Sequence, residues 1–426
     1  MRIAVAILTS ALLLACNPSS DEQLNSSVES DGPGLEFSRD AEAFDAALAA
    51  IDEQIAKAEA RAKAHPDDWL VLEKIAGLWL RRARLSGDYD NYSKAEDALA
   101  RGFERAAEGS GPLLTRASLN FTLHRLNLVD PDLNKVAARP VLDDPTRAVV
   151  ESMRGDLAFA RGDFALAQTH YDAALALDRT HSILAKLAHW HWRRGEFDQA
   201  ETLYREAEAL MLAASLEPRA WIQLQLGIMD LERGRYEDAF AHYRDGADIL
   251  GGWWLLEEHI AEIAVLLGMP EFAVDLYDEI ITRTGKGEFI DAKASLLAAA
   301  GDAQGSAALV EQATAVYEAD LERFPEAAYG HALGHFLDFG PPARALELAE
   351  ANHTLRPNVE AKLGLATARL GVDDIAGAQA IIDQALATPW VSAELFAVAA
   401  QVYKAQGDAA KAATLRQQAN AINPRI

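Results

Sequence analysis

His331 and His335 stand four residues apart, so on a helix their imidazoles share one face within bridging reach of a metal ion. The residues between them are Ala332, Leu333 and Gly334, which lack the glutamate that a zinc-protease helix uses as general base. His189 and His191 are two apart and would point to different faces of a helix. His259 lies beside Glu258 and Glu262, a nitrogen–oxygen donor set of the kind that holds a cation. Against these readings stands a plainer one, in which the histidines are polar packing residues of a helical protein. We assign no metal and no cofactor.

Other chemistry is hard to place. There is no glycine-rich phosphate loop between a strand and a helix, and no Gly-x-Ser-x-Gly nucleophile elbow. Carboxylate pairs abound, but on exposed helix faces they are solvated surface before they are catalytic dyads. Cys16 is the only cysteine, which excludes a disulfide framework and a thiolate metal site. The chain carries 40 basic and 65 acidic residues, a formal charge of −25. Such a surface disfavours nucleic acid and anionic headgroups. The expected work is binding, not catalysis.

The elements that would position these side chains are repeats. From Gly162 the chain reads Gly-Asp-Phe-Ala-Leu-Ala, and the pattern of Gly, an Ala five residues on and a Tyr four beyond returns from Gly195, Gly234 and Gly268. The glycine alone recurs at Gly301, Gly340, Gly371 and Gly407, a mean spacing of about 35 residues. The Ala follows at Ala167, Ala200, Ala239, Ala273, Ala345, Ala376 and Ala412; in the Gly301 copy a longer turn or helix passes the role to Ala313. Each residue has a mechanical task. The glycine ends one helix where φ is positive, the alanine lets the next helix lie close, and the tyrosine fills the gap one turn later. Hydrophobic residues make up 50% of the chain and aromatic ones 8%, which suits close packing of small residues between helices.

This frame resembles the tetratricopeptide repeat over roughly residues 65–426. The resemblance implies an all-α, right-handed superhelical solenoid of about nine or ten helix–turn–helix units, and a protein or peptide as partner. It also implies a concave groove lined by the second, fifth, ninth and twelfth positions of each unit. The candidate groove residues are then Phe159, His189, Trp192, Trp221, Leu224, Leu231, Glu258, Glu262, Val265, Glu288 and Asp291. The twelfth positions Phe159, Trp192, Leu231 and Val265 form an apolar stripe with two readings: packing between successive first helices, or a ligand groove. Position five is Ser152, Ala185, Leu224 and Glu258, never Lys, so the clamp by which some family members hold a C-terminal carboxylate is missing.

The N-terminus carries a different signal. Met1-Arg2 precedes an apolar run to Leu14, too short to span a bilayer as a mature helix. Leu13-Leu14-Ala15-Cys16 resembles the lipobox of bacterial lipoproteins, which implies cleavage before Cys16 and acyl chains on it. Asn17 stands where an aspartate would resemble an inner-membrane retention signal, so the outer membrane, facing the periplasm, is the expected site. The expected organisation is a signal peptide over 1–16, a flexible tether over 17–36 and an N-terminal capping helix over 37–66. Divergent repeat units follow over 67–144, where Pro131, Pro140 and Pro145 leave room for a domain break or a bend, and about eight repeat units over 145–426. A metal- or small-ligand-handling lipoprotein using the histidines is the alternative function.

Overall fold

The computed structural model describes residues 35–426. The lipobox, the cysteine and most of the tether lie outside the described residues. Within them the chain forms helices and no strand. Helix α1 (Glu42–Ala64) precedes ten pairs. The first five are α2 (Trp69–Ser86) with α3 (Asp90–Arg105), α4 (Leu113–Thr122) with α5 (Val129–Ala137), α6 (Asp144–Ala160) with α7 (Phe164–Leu177), α8 (His181–Trp192) with α9 (Phe197–Ala209), and α10 (Leu216–Leu231) with α11 (Tyr236–Ile249). The second five are α12 (Trp254–Leu266) with α13 (Pro270–Thr284), α14 (Gly287–Ala299) with α15 (Ala303–Arg323), α16 (Pro325–Asp338) with α17 (Pro342–Leu355), α18 (Val359–Gly371) with α19 (Ile375–Leu386), and α20 (Ala393–Gln406) with α21 (Ala409–Ile422). The architecture is an all-α repeat solenoid.

One pair shows why the sequence folds this way. Gly162 takes φ 79° and ends α6; the Asp163 side chain then accepts a hydrogen bond from the Leu166 N–H and starts α7. Ala167 is fully buried and Tyr171, one turn on, is buried over Gly155 of α6. A Cβ on Gly155 would lie 2.5 Å from the tyrosine ring, so a small residue is required there. Gly227 and Tyr243 repeat the arrangement between α10 and α11. Asp302, Asp374 and Asp408 cap α15, α19 and α21 as Asp163 caps α7.

Four local features differ from the sequence frame. In the seventh copy the left-handed residue is Asp373 (φ 60°), not Gly371; Ala378 is buried and Ala376 exposed, so the frame there runs two residues later. Gly340 has no positive φ, because Pro341 and Pro342 start the next helix directly. The Gly301 copy keeps its glycine (φ 87°) but α15 is 21 residues long against 14 for α7, and Ala313 and Tyr317 are the buried pair. The end of the divergent stretch packs on α6 through a small core of its own, made of Leu113, Ala117, Leu126, Val129, Leu133 and Val136 with Val150 and Leu157 of α6.

The array is also coiled tightly enough to touch itself. The Trp254 indole N–H donates to the Leu85 carbonyl (3.0 Å) across 169 residues. Arg356 meets His124 (3.0 Å) across 232 residues, and Arg425 meets Glu237 (3.1 Å) across 188. Arg323 pairs with Asp90, and Phe324 packs edge-on against Tyr89 at 5.7 Å. These separations correspond to roughly five to seven repeats of ~34 residues. Helices α1–α11 thus form a first coil and α12–α21 a second that lies along it. The start of the solenoid is held in the same way: Arg39 pairs with Glu279 (3.2 Å), Phe37 packs on Phe272, and Ala41 sits against Gly252. The helix read from the sequence as an N-terminal cap over 37–66 runs from Glu42 to Ala64, and the segment that enters it is docked onto the second coil.

Candidate partner-binding surface

The first helix of each pair carries the candidate groove residues. Phe159 at the end of α6 is half-buried and touches Phe164 and His189, with ring centroids 5.3 and 5.4 Å away. His189 in turn packs edge-on to Trp192 at 5.3 Å. Burial, reinforced by the Arg193 charge, holds the His189 imidazole well below its ordinary pKa, in the neutral form. Trp192 is only 2% exposed, and its indole N–H donates to Glu232 (3.1 Å). Leu224 and Leu231 are buried; Trp221, against Tyr204, and Val265 are half-buried.

Glu258 and Glu262 lie on α12 around His259, whose Nδ1 is 3.6 and 3.2 Å from their carboxylates. All three are buried, and the imidazole stacks on Tyr243 at 5.2 Å and 15°. Burial pushes the Tyr243 phenol well up, and Glu262, Glu258, Glu232 and Asp230 push the same way. On α14, Glu288 faces Lys286 at 4.0 Å and Asp291 accepts from His335 Nδ1 at 2.8 Å. Burial raises the Asp291 carboxyl and His335 opposes the shift.

The stripe is therefore not one open groove. Trp192, Leu224, Leu231, Glu258 and Glu262 are closed over by protein, because the inner positions pack on neighbouring helices and, at Trp192, on the seam between coils. Packing is the reading the structure supports at these five. The residues that keep some surface are Phe159, His189, Trp221, Val265, Glu288 and Asp291. The histidine pair is likewise changed. His335 has Asp291 on Nδ1 and Thr314 (2.8 Å) on Nε2, so the pair does not offer two open nitrogens to a metal. No set of three or more metal-ligating side chains gathers among the described residues.

Sequence reasoning missed a second cluster. Arg193 directs Nη1 at both carboxylate oxygens of Glu232 (2.9 Å each), and Nη2 lies 3.8 Å from Glu360. Its guanidinium sits over Trp192 at 4.1 Å and Trp390 at 4.9 Å. Burial alone would lower its pKa, but Glu232 and Glu360 outweigh burial and hold it above its ordinary value. The Arg193 carbonyl accepts from the Val391 N–H (2.8 Å), which joins the two coils through backbone. Glu394 adds a third carboxylate whose Oε1 is buried without a hydrogen-bond partner. Nothing local in the sequence links residue 193 to 390–394. The one usable signal would have been the coil period, which only the fold supplies.

The tetratricopeptide repeat family model matches residues 179–250, which include α8–α11. No curated protein is a detectable sequence relative. Among solved structures, the chain is similar to a Rap protein complexed with competence and sporulation factor, at 15% identity and TM-score 0.43, over 83% of this chain and 97% of that one. It is similar to yeast Tom70 at 15% identity and TM-score 0.37, over 89% and 92% of the two chains. Similarity to a human IFIT1 dimer with m7Gppp-AAAA is 13% identity and TM-score 0.40, over 81% and 89%.

Proposed function

We propose that this tetratricopeptide-repeat chain is a scaffold or adaptor that holds another protein, anchored in a bacterial envelope by lipid on Cys16. The observation that carries the binding role is the fold itself: ten stacked helix pairs, a repeat architecture whose aligned positions make an extended surface suited to holding a peptide or protein. The half-buried Phe159, Trp221 and Val265 offer apolar contact, and Glu288 and Asp291 favour a partner with Lys or Arg beside its apolar anchors. The formal charge of −25 argues against nucleic acid as that partner. The anchor rests on the Leu13–Cys16 motif alone, and Asn17 favours the outer membrane, facing the periplasm. The histidine pair does not support the metal-handling alternative, because His335 is engaged on both ring nitrogens.

The test is crosslinking and co-purification from the membrane fraction, with wild type beside Cys16→Ser. The expected result is a defined protein partner with wild type, and a Cys16→Ser protein that leaves the membrane fraction or keeps its signal uncleaved. Mature protein that stays with the membrane without acyl label would overturn the anchor. Crosslinks that never exceed those of an unrelated acidic lipoprotein would overturn the scaffold.

A further inference from the structure

The two coils leave the solenoid two rims, and the rims differ in chemistry. The first rim, on the side of the first coil away from the second, carries the loops that lead into α2, α4, α6, α8 and α10. Leu70, Val141, Leu210 and Leu212 are exposed there. The opposite rim carries the turns within the pairs of the second coil, and exposed aspartates mark those before α15, α19 and α21: Asp302, Asp373 with Asp374, and Asp408. The turn from α12 to α13 departs from that pattern. It reads Leu266-Leu267-Gly268-Met269-Pro270, with both leucines and Met269 half-buried and open space beside Gly268. The described chain enters at this turn. Leu35 and Phe37 pack on the core, the Phe37 ring meets Phe272 in the first turn of α13 at 6.5 Å, and the Arg39 guanidinium lies over both rings (5.3 and 5.0 Å).

We propose that the turn from α12 to α13, with Leu35 and Phe37 against it, rests on the surface of the lipid bilayer that holds Cys16, so that the first rim points away from the membrane. The inference rests on the lipid-anchor reading. The length of chain between the anchor and the docked segment decides between the two rims. Asn17 to Gly34 are 18 residues. As a flexible coil they would span roughly 21–25 Å. Helix α1 runs from the seam at Gly252 to the first rim, and its 23 residues make it about 35 Å long. The leucines of the first rim are the more exposed apolar set, yet they lie beyond the relaxed reach of the anchor; the α12–α13 turn lies at its end. Glu36 and Glu271 stay exposed beside the turn, so the surface that fits is zwitterionic, with the apolar side chains entering its headgroup layer. The first rim is then left to the protein partner.

The test uses the mature acylated chain in phosphatidylcholine vesicles, with and without a doxyl-labelled lipid that quenches on contact. Acylation occupies the Cys16 sulfur, so Met269→Cys and Leu212→Cys each offer one thiol to an uncharged, environment-sensitive fluorophore. The label at position 269 should shift to shorter wavelength on reconstitution and lose emission to the doxyl lipid; the label at position 212 should do neither. A response at position 212 alone, or at both positions, overturns the orientation. A response at neither overturns the bilayer contact. Should Met269→Cys fail to fold, Glu271→Cys, exposed at the same turn, carries the same expectation. The mass of the chain separates two levels of failure. A mature chain without acyl mass on Cys16 overturns the anchor and this inference with it; an acylated chain with an unresponsive label at the turn overturns this inference alone.

Discussion

The turns inside the helix pairs look alike in both coils, yet they do different work. Gly162, Gly195 and Gly234 in the first coil, and Gly268, Gly301 and Gly407 in the second, all have positive φ. Around the first three lie residues of the other coil: the Pro357 carbonyl, Val391 and Asn423. Around the last three an added Cβ would meet nothing within 4 Å. At these six turns one residue type thus ends helices in both coils but permits close approach only along the edge where the second coil rests. Local rules make the pairs; contacts at long separation set how tightly the solenoid winds.

The comparison is tested hardest at the seam glycine between α11 and α12. Gly252 has φ 78°, and a Cβ there would lie 2.5 Å from the Ala41 Cα, a backbone atom that cannot rotate away. Gly252→Ala should cost roughly 1–2 kcal/mol for the left-handed conformation plus about 1–3 kcal/mol for overpacking. Gly407→Ala, at φ 94° with open space around it, should carry the conformational cost alone. Denaturant unfolding of the two variants measures the difference. Equal losses would mean that α1 is not seated on the second coil.

A smaller effect comes from Glu394 and is read through pH. Burial, with Glu232 and Glu360 adding and Arg193 opposing, pushes its carboxyl up to about 8 from 4.5. Below the ordinary value both folded and unfolded states hold the proton and the group contributes nothing. Between there and about 8 the unfolded state loses the proton while the folded state keeps it, so this group's contribution falls as pH rises. Above that range both are ionised and the slope ends. Carboxylates held below their ordinary value, such as Asp143 by Thr146, act in the opposite sense. The quantity to measure is therefore the difference between wild type and Glu394→Gln. That difference should widen in favour of the Gln variant from about pH 5 to 8, by about 1–3 kcal/mol after relaxation of the site. A constant difference would place an ionised Glu394 at the seam at neutral pH.

These contrasts also mark how far the sequence reaches. The pairs were legible because each depends on residues within one repeat: Gly155 with Tyr171, or Ala313 with Tyr317 after a lengthened helix. The seventh copy misled because Gly371 offers the expected residue type two positions before the turn that Asp373 makes. The groove was legible only as positions. Whether Trp192 faces a partner or Trp390 and Arg193 depends on the pitch of the coil, and no local pattern encodes pitch. Trp192→Ala is on this account a probe of stability before it is a probe of binding.

The smallest expected effects, and the ones that separate the coils most finely, lie at the two non-glycine residues with positive φ among the described residues. Asp373 and His124 both have φ 60°. Each bears the strain of a side chain in the left-handed region, and glycine would relieve it. Asp373 is exposed at the α18–α19 turn, and Asp374, not Asp373, caps the helix that follows. Asp373→Gly should therefore stabilise the protein, by up to about 1 kcal/mol after the added freedom of the unfolded chain is subtracted. His124 sits at the seam, where Nε2 meets Arg356 at 3.0 Å and burial, with Arg356, holds the imidazole neutral. A neutral imidazole accepts that hydrogen bond, and Arg356 is itself buried. His124→Gly gains the same relief but leaves a buried guanidinium short of an acceptor, so the two terms should nearly cancel or tip towards loss. Paired thermal melts decide the matter. If His124→Gly stabilises as much as Asp373→Gly, the Arg356 contact contributes nothing and the coils are held apart at that point.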